Sequence, residues 1–271
     1  MTNAPQTGYA QVNGLSMYYE IHGAGEPLVL LHGGFGLTEM FSAILPQLAA
    51  SRQVIVVDQQ GHGRTADIDR PLSPESMGDD MAALIKYMGF DSADLMGYSM
   101  GGNAALRAAM QHPELIRKLI VISVPFRRDG WYAEIRASMD QMSAATAEFL
   151  KETPMYQSYT AVAPEPDNFP VLCEKMGAML RRDYDWSDEV AALTMPTLLI
   201  SGDADSMPPT HMAQFYELLG GGQRDGGWDG SGMPKSQLAI LPGTTHYNSF
   251  ASPLLVPVVM SFLDAPLQEN E

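Results

Sequence analysis

Five short, nearly continuous apolar runs, set well apart and separated by helix-like stretches, constrain this chain more than any other feature. Leu28–Leu31, Val54–Asp58 and Leu119–Ser123 lie in the first half, and Leu198–Ser201 and Leu238–Leu241 in the second. A strand wetted on one face alternates apolar with polar residues, whereas a run without alternation suits a strand buried on both faces of a parallel sheet. Between the runs, Leu37–Ala49, Pro74–Met88, Met100–Gln111, His211–Leu219 and Pro253–Leu263 read as helices. Ser73 stands as an N-cap ahead of Pro74 at the first helical position. Strand alternating with helix predicts an α/β fold with a doubly wound, mostly parallel sheet. At the front, Tyr9–Val12 and Met17–Ile21 flank Asn13-Gly14, a hairpin turn signal, so the sheet is expected to begin antiparallel. With 271 residues, 45% of them apolar, the chain can build one large domain carrying a small insert.

The alternation stops between Pro125 and Leu193. That stretch holds no strand candidate but has helical patterns at Tyr132–Phe149 and Val171–Leu180. The expected organisation is a core made of residues 1–124 and 194–271, with a helical cap at 125–193. The cap segment is rich in large side chains, among them Trp131, Met139, Met142, Phe149, Met155, Tyr156, Tyr159, Met176, Met179 and Trp186. Two readings stand side by side: these residues pack the helices together, or some of them line an apolar pocket under the cap. Gly220–Gly232 has glycine at 7 of 13 positions. So little side chain cannot anchor a core, and a mobile or ligand-adjacent surface loop is expected.

Charge narrows the partners. Sixteen Lys and Arg face 32 Asp and Glu, a formal net charge of −16. Such a chain repels phosphate backbones and anionic lipid, so neither nucleic acid nor a membrane is expected as a partner. The single cysteine, Cys173, cannot form an internal disulfide, and no Cys/His spacing suits a metal site. The start, Met1–Gly8, is polar and lacks the layout of a signal peptide, and no stretch approaches 18 apolar residues. A cytoplasmic protein is expected, and a homodimer is left open.

Four pieces carry chemistry. Ala93–Met96 reads as a strand, Gly97-Tyr98-Ser99-Met100-Gly101 follows, and then a helix begins. This is G-x-S-x-G at a strand-to-helix junction, a turn so tight that the flanking positions must lack a Cβ. With 19 serines and 25 glycines, composition alone gives roughly 0.16 such matches, so it is the placement that carries weight. Ser99 is therefore the candidate nucleophile. His32-Gly33-Gly34-Phe35-Gly36 follows the Leu28–Leu31 run. Acyl transfer needs two donors for its oxyanion. The Met100 N–H supplies the first, and the N–H of Gly34, or failing that Phe35, the second; His32 itself is expected to be structural.

The third piece, Ser201–Pro208, follows the fourth apolar run and holds Asp203 and Asp205, either of which could be a triad acid on the carboxyl edge of the sheet. Asp203 is expected to cap the next helix instead. The fourth is Leu241-Pro242-Gly243-Thr244-Thr245-His246. Of six histidines, only His246 lies in a loop after a strand near the chain's end, and the order Ser99, acid, His246 makes it the candidate base.

Together these pieces resemble the α/β-hydrolase superfamily over nearly the whole chain. The N-terminal hairpin, the His32-Gly33 loop, the Asp58…Gly61-His62-Gly63-Arg64 turn, the elbow, the cap position, the acid loop and the last histidine arrive in family order. Within that superfamily the chain is similar to cap-bearing serine esterases, lactonases and cofactor-free haloperoxidases. The resemblance implies that the acid is Asp205, in the stretch Gly202…Asp205…Pro209 (or Pro208). The Gly-rich 220–232 segment departs from the family pattern. A catalytic set of Ser99, Asp205 and His246 implies two-step acyl transfer on a small to medium, largely apolar ester, with no cofactor and no metal.

Other readings compete. A lactone, an amide or the carbon–carbon bond of a β-diketone would use the same serine chemistry. A ligand-binding protein or receptor could keep the fold with an idle triad. Epoxide hydrolases and haloalkane dehalogenases resemble the chain too, but they place a carboxylate where Ser99 stands. Gly61-His62-Gly63-Arg64-Thr65-Ala66 matches a dinucleotide fingerprint, yet Asp67-Ile68-Asp69-Arg70-Pro71 after it does not start a helix.

Overall fold

The computed structural model describes residues 4–267; Met1–Asn3, part of the polar start considered above, lie outside the described residues. Eight strands form one sheet: β1 (Gln6–Val12), β2 (Leu15–His22), β3 (Glu26–Leu31), β4 (Arg52–Val57), β5 (Ala93–Tyr98), β6 (Ile116–Ile122), β7 (Thr197–Ala204) and β8 (Gln237–Thr245). Their order across the sheet is β1-β2-β4-β3-β5-β6-β7-β8. Strands β1 and β2 pair antiparallel through a turn in which Asn13 and Gly14 have φ of 46° and 85°, the left-handed conformation a tight hairpin requires. β2 meets β4 antiparallel, and from β4 to β8 every pairing is parallel.

The helices are α1 (Leu45–Leu48), α2 (Pro74–Tyr87), α3 (Met100–Gln111), α4 (Ala133–Asp140), α5 (Thr146–Leu150), α6 (Pro154–Val162), α7 (Phe169–Leu180), α8 (Ser187–Ala191), α9 (Pro209–Leu218) and α10 (Leu255–Asp264). Strand alternation splits the apolar runs between two cores. Val29, Leu31, Ile55 and Val57 face α2, α3 and α9, while Leu28, Leu30, Val54 and Val56 face α1 and α10. Ser73 caps α2, its Oγ accepting from the Ser76 N–H at 3.1 Å, a bond typically worth about 1 kcal/mol.

Two helices expected to be continuous are broken. Leu37–Ala49 is a 3-10 turn (Thr38–Phe41) followed by α1. Pro46 cannot donate to the carbonyl four residues back, and its ring collides with that carbonyl, so a continuous helix is cut there. Tyr132–Phe149 is α4 and α5 with a gap between them. In that gap the Met142 carbonyl accepts from Arg181 Nη1 at 2.6 Å. Strand β8 runs on through Pro242 to Thr245, where a loop had been expected, because Thr245 still pairs with Ala204 beyond an irregularity between Gly202 and Ala204.

The chain crosses from one side of the sheet to the other at β3 and β5, which lie side by side with Leu31 opposite Gly97. A crevice opens above the carboxyl ends of two such strands, where their following segments part. Helices α4 to α8 all fall between β6 and β7. They are tied to the core by Lys175 of α7, which donates to Asp67 Oδ2 (2.6 Å), Ile68 O (2.7 Å) and Arg70 O (2.9 Å), and by an Arg107–Glu189 ion pair. Among the described residues no helix is long and apolar enough to cross a membrane.

Candidate active site

At the end of β5 the chain reverses sharply into α3, and Ser99 takes φ 53° and ψ −118°. A left-handed φ at a non-glycine residue is strained, and such strain collects at functional sites. The flanking glycines are forced by packing. A Cβ at position 97 would lie 2.1 Å from the Gly101 carbonyl oxygen, and one at position 101 would lie 2.4 Å from that of Leu31. Both obstacles are backbone and cannot turn aside. The Ser99 N–H is held by the Ile122 carbonyl of β6 at 2.9 Å.

Ser99 Oγ lies 3.1 Å from His246 Nε2, and His246 Nδ1 lies 2.9 Å from Asp205 Oδ1. Because a carboxylate only accepts, Nδ1 carries the proton and donates, which leaves Nε2 free to accept from the serine hydroxyl. The pairing of Ala204 with Thr245 sets the next residue of each strand, Asp205 and His246, side by side. The imidazole is held further by Tyr98, whose hydroxyl donates to the His246 carbonyl at 2.5 Å, and by the edge contact of Trp131 at 5.5 Å between ring centroids.

Asp205 is 6% exposed. Burial works against its charge, but hydrogen bonds from His246, Ser123 and the Gly202 N–H, together with the nearby imidazole, outweigh it and hold the carboxyl below its ordinary pKa. The acid therefore stays ionised at neutral pH. Asp203 does not cap a helix, contrary to expectation. It is exposed and accepts from the Gly243 and Thr244 N–H groups at 3.0 and 3.1 Å, pinning the turn inside β8.

Gly34, Phe35 and Met100 border the same cavity as Ser99 and His246. Met100 opens α3, so its N–H has no partner within the helix. The turn around Gly34 and Phe35 is closed by the Gly36 N–H on the Gly33 carbonyl at 3.0 Å. Among the described residues the Gly34 and Phe35 N–H groups donate to nothing in the chain. His32 beneath them is fully buried. Its Nδ1 donates to the Gly33 carbonyl (2.7 Å) and its Nε2 accepts from the Gln59 N–H (3.1 Å). Burial, reinforced by neighbouring His62, pushes its pKa down to about 3, so it is a neutral support for the loop.

The cavity above Ser99 measures about 550 Å³. Seven of its lining residues are methionines: Met40, Met100, Met139, Met142, Met155, Met176 and Met179. Of the large residues singled out in the 125–193 segment, Trp131, Met139, Met142, Met155, Met176, Met179 and Trp186 reach it, so the pocket-lining reading holds for these seven. Tyr156 and Tyr159 instead pack on Phe169, and Phe149 is 83% exposed. No residue of Gly220–Gly232 borders the cavity. That loop bridges α9 and β8 and presents a fully exposed Trp228. Gly61–Ala66 leads into irregular chain, and the next helix begins only at Pro74, so a pyrophosphate would find no helix N-terminus there. Among the described residues no group of three His, Cys, Asp or Glu side chains could hold a metal ion.

Sequence reasoning missed two members of this site, Ser123 and Ser249. Ser123 Oγ donates to Asp205 Oδ2 at 2.6 Å and lies 3.1 Å from Ser249 Oγ. The one available signal was a hydroxyl at the carboxyl end of a buried strand.

A parallel sheet switching direction at β3 and β5, with a serine at a tight strand-to-helix turn and an imidazole and carboxylate after the last two strands, is the layout of the α/β-hydrolase fold. The family model for the alpha/beta hydrolase fold matches residues 26–154. The RutD protein of Azorhizobium caulinodans, named as a putative carbamate hydrolase, is 25% identical over 261 aligned positions, covering 90% of this chain and 93% of its own. The pimeloyl-[acyl-carrier protein] methyl ester esterase of Edwardsiella ictaluri is 27% identical over 254 positions, covering 85% of this chain and 90% of its own. Among solved structures, E-2-(acetamidomethylene)succinate hydrolase superposes with a TM-score of 0.74 at 18% identity, covering 97% of this chain and 100% of that one. The carboxylesterase CesB of Bacillus subtilis superposes at 0.73 with 17% identity, covering 97% and 93%. The chain has the α/β-hydrolase fold, and residues 26–154 match the model of that family.

Proposed function

We propose that the chain is a serine hydrolase of carboxylic esters with a small to medium, largely apolar substrate, working through an acyl-enzyme on Ser99. The observation that carries this reading is the unbroken path Ser99 Oγ–His246 Nε2 (3.1 Å), His246 Nδ1–Asp205 Oδ1 (2.9 Å), opening into an apolar cavity. Ser99 attacks the carbonyl carbon while His246 Nε2 takes its proton, and the ionised Asp205 fixes the tautomer and supports the imidazolium. The oxyanion rests on the N–H groups of Met100 and of Gly34 or Phe35. His246 returns its proton to the leaving alcohol, then activates water to release the acid. The 125–193 segment acts as a cap whose side chains form the roof of the acyl pocket. No cofactor enters this scheme. The strongly acidic chain fits a cytoplasmic enzyme acting on a small molecule.

The names of the two relatives support hydrolysis of esters or carbamates in general. A carbamate is therefore the second reading, since the same tetrahedral chemistry serves it. The test is a panel of p-nitrophenyl esters of rising acyl length, each matched with the carbamate bearing the same apolar arm, run beside Ser99→Ala. Turnover that depends on Ser99, peaks at one chain length and favours the ester is the expected result. Faster carbamate cleavage would reverse the order of the readings, and turnover that survives Ser99→Ala would end both.

A further inference from the structure

We infer that Ser123 is a positioning residue: its hydroxyl fixes the Asp205 carboxylate to the strand that anchors Ser99 and, through Ser249, to the turn that carries His246. The inference rests on the reading of Ser99, His246 and Asp205 as a triad.

Asp205 receives four hydrogen bonds, two on each oxygen. Oδ1 accepts from His246 Nδ1 (2.9 Å) and the Ser206 N–H (2.7 Å), and Oδ2 accepts from Ser123 Oγ (2.6 Å) and the Gly202 N–H (3.1 Å). The two amides belong to the acid's own segment, Gly202 within β7 and Ser206 just beyond it, and hold the carboxylate relative to that segment. Ser123 reaches it from β6, and it follows Ile122, whose carbonyl accepts the Ser99 N–H at 2.9 Å. One peptide unit thus links the nucleophile's backbone to the acid's side chain.

Backbone strain points the same way. Ser123 is fully buried and has φ 58°, a left-handed conformation that glycine adopts without penalty. What serine adds over glycine at such a position is the hydroxyl. That hydroxyl has one proton, and the carboxylate can only accept, so the proton goes to Asp205. Ser249 Oγ, 3.1 Å away and also fully buried, must then donate to Ser123 Oγ. Ser249 lies three residues beyond His246. Ser249 donates to Ser123 and Ser123 to Asp205, while His246 donates to Asp205 from the other side; the chain between His246 and Ser249 closes the loop. The run from Ser249 through Ser123 to Asp205 is head to tail, so its two bonds polarise one another.

The test is Ser123→Gly, which deletes the hydroxyl and relieves the strained φ, measured by ester kcat and KM and by the rate at which a fluorophosphonate labels Ser99. The expected result is a folded protein, checked by circular dichroism, whose kcat and labelling rate fall about ten- to a hundredfold, the scale seen when a group that orients a reacting ligand is lost. KM should move less than about twofold, because Ser123 is fully buried and does not border the cavity. Ser123→Ala, which keeps the backbone demand, should show the same kcat loss with a lower melting temperature. In an Asp205→Asn background Ser123→Gly should cost nothing further, since its effect passes through the carboxylate. Wild-type kcat in both Ser123 variants would overturn the inference, as would an equal fold-loss with and without Asp205. If Asp205→Asn itself kept wild-type kcat, the triad reading would fail and this inference with it. A crippled Asp205→Asn beside an unaffected Ser123→Gly would overturn this inference alone.

Discussion

Asp203 and Asp205 stand two residues apart in one loop, and replacing each by asparagine separates their roles. At position 205 the amide presents an oxygen to one side and an NH₂ to the other. With its oxygen toward His246, the NH₂ faces the Gly202 N–H; turned around, it faces the Ser206 N–H and forces the wrong imidazole tautomer. Either way one buried backbone N–H loses its acceptor, at about 1–3 kcal/mol. The larger loss is chemical. Without a carboxylate to hold the tautomer and balance the imidazolium, kcat should fall by about 10³ to 10⁴, or about 4 to 5.5 kcal/mol of transition-state stabilisation. Asp203→Asn keeps an acceptor oxygen at an exposed turn and touches neither Ser99 nor His246, so kcat should stay within about twofold. Steady-state kinetics on one p-nitrophenyl ester, with urea melts of both variants, read out all of this. A larger kcat loss at Asp203 would refute the assignment of the acid.

Three further outcomes follow from the same geometry. Gly101→Ala drives a Cβ to 2.4 and 2.5 Å from the Leu31 and His32 carbonyl oxygens, and should cost upward of about 2 kcal/mol in urea unfolding; a wild-type midpoint would contradict the packing account. Asp205 has a depressed folded pKa, so the stability it contributes is fully present above its unfolded pKa of about 3.9 and is lost as pH falls through the lower folded value. The stability gap between wild type and Asp205→Asn should therefore narrow from pH 5 to pH 3, and a widening gap would show the sign to be wrong. Cys173 is fully buried, and burial pushes its thiol up to about 11; Ellman's reagent at pH 8 should leave it unmodified in native protein and react once urea is added, and prompt native labelling would count against the burial described.

Much of the sheet was legible because strands buried on both faces carry apolarity that no other element needs at such short length. The elbow was legible because its two glycines answer a steric demand set by the chain's own backbone. What stayed hidden depends on contacts across the fold. The helix expected at Leu37–Ala49 overlooked Pro46, a signal that was present. The break within Tyr132–Phe149, in contrast, hangs on Arg181, nearly forty residues on, reaching the Met142 carbonyl. Asp203 and Asp205 share a face in an ideal strand, and only the irregularity between Gly202 and Ala204 turns one to the β8 turn and the other to His246. Ser123 reads as a strand end because its partner lies 82 residues away.

The seven methionines around the cavity make it a malleable chamber rather than a mould. An unbranched thioether turns about three bonds, and its polarisable sulfur settles against flat or kinked surfaces at similar cost. Gly34 leaves the room that Met176 occupies, for even a Cβ there would come within 2.7 Å of its terminal methyl. Selection among guests in such a chamber falls on the fixed points, the Ser99 hydroxyl and the amides beside it, and on whether a guest is greasy enough to displace water. Two acyl groups of equal oiliness and different outline should thus be handled more alike here than in a pocket walled by branched side chains.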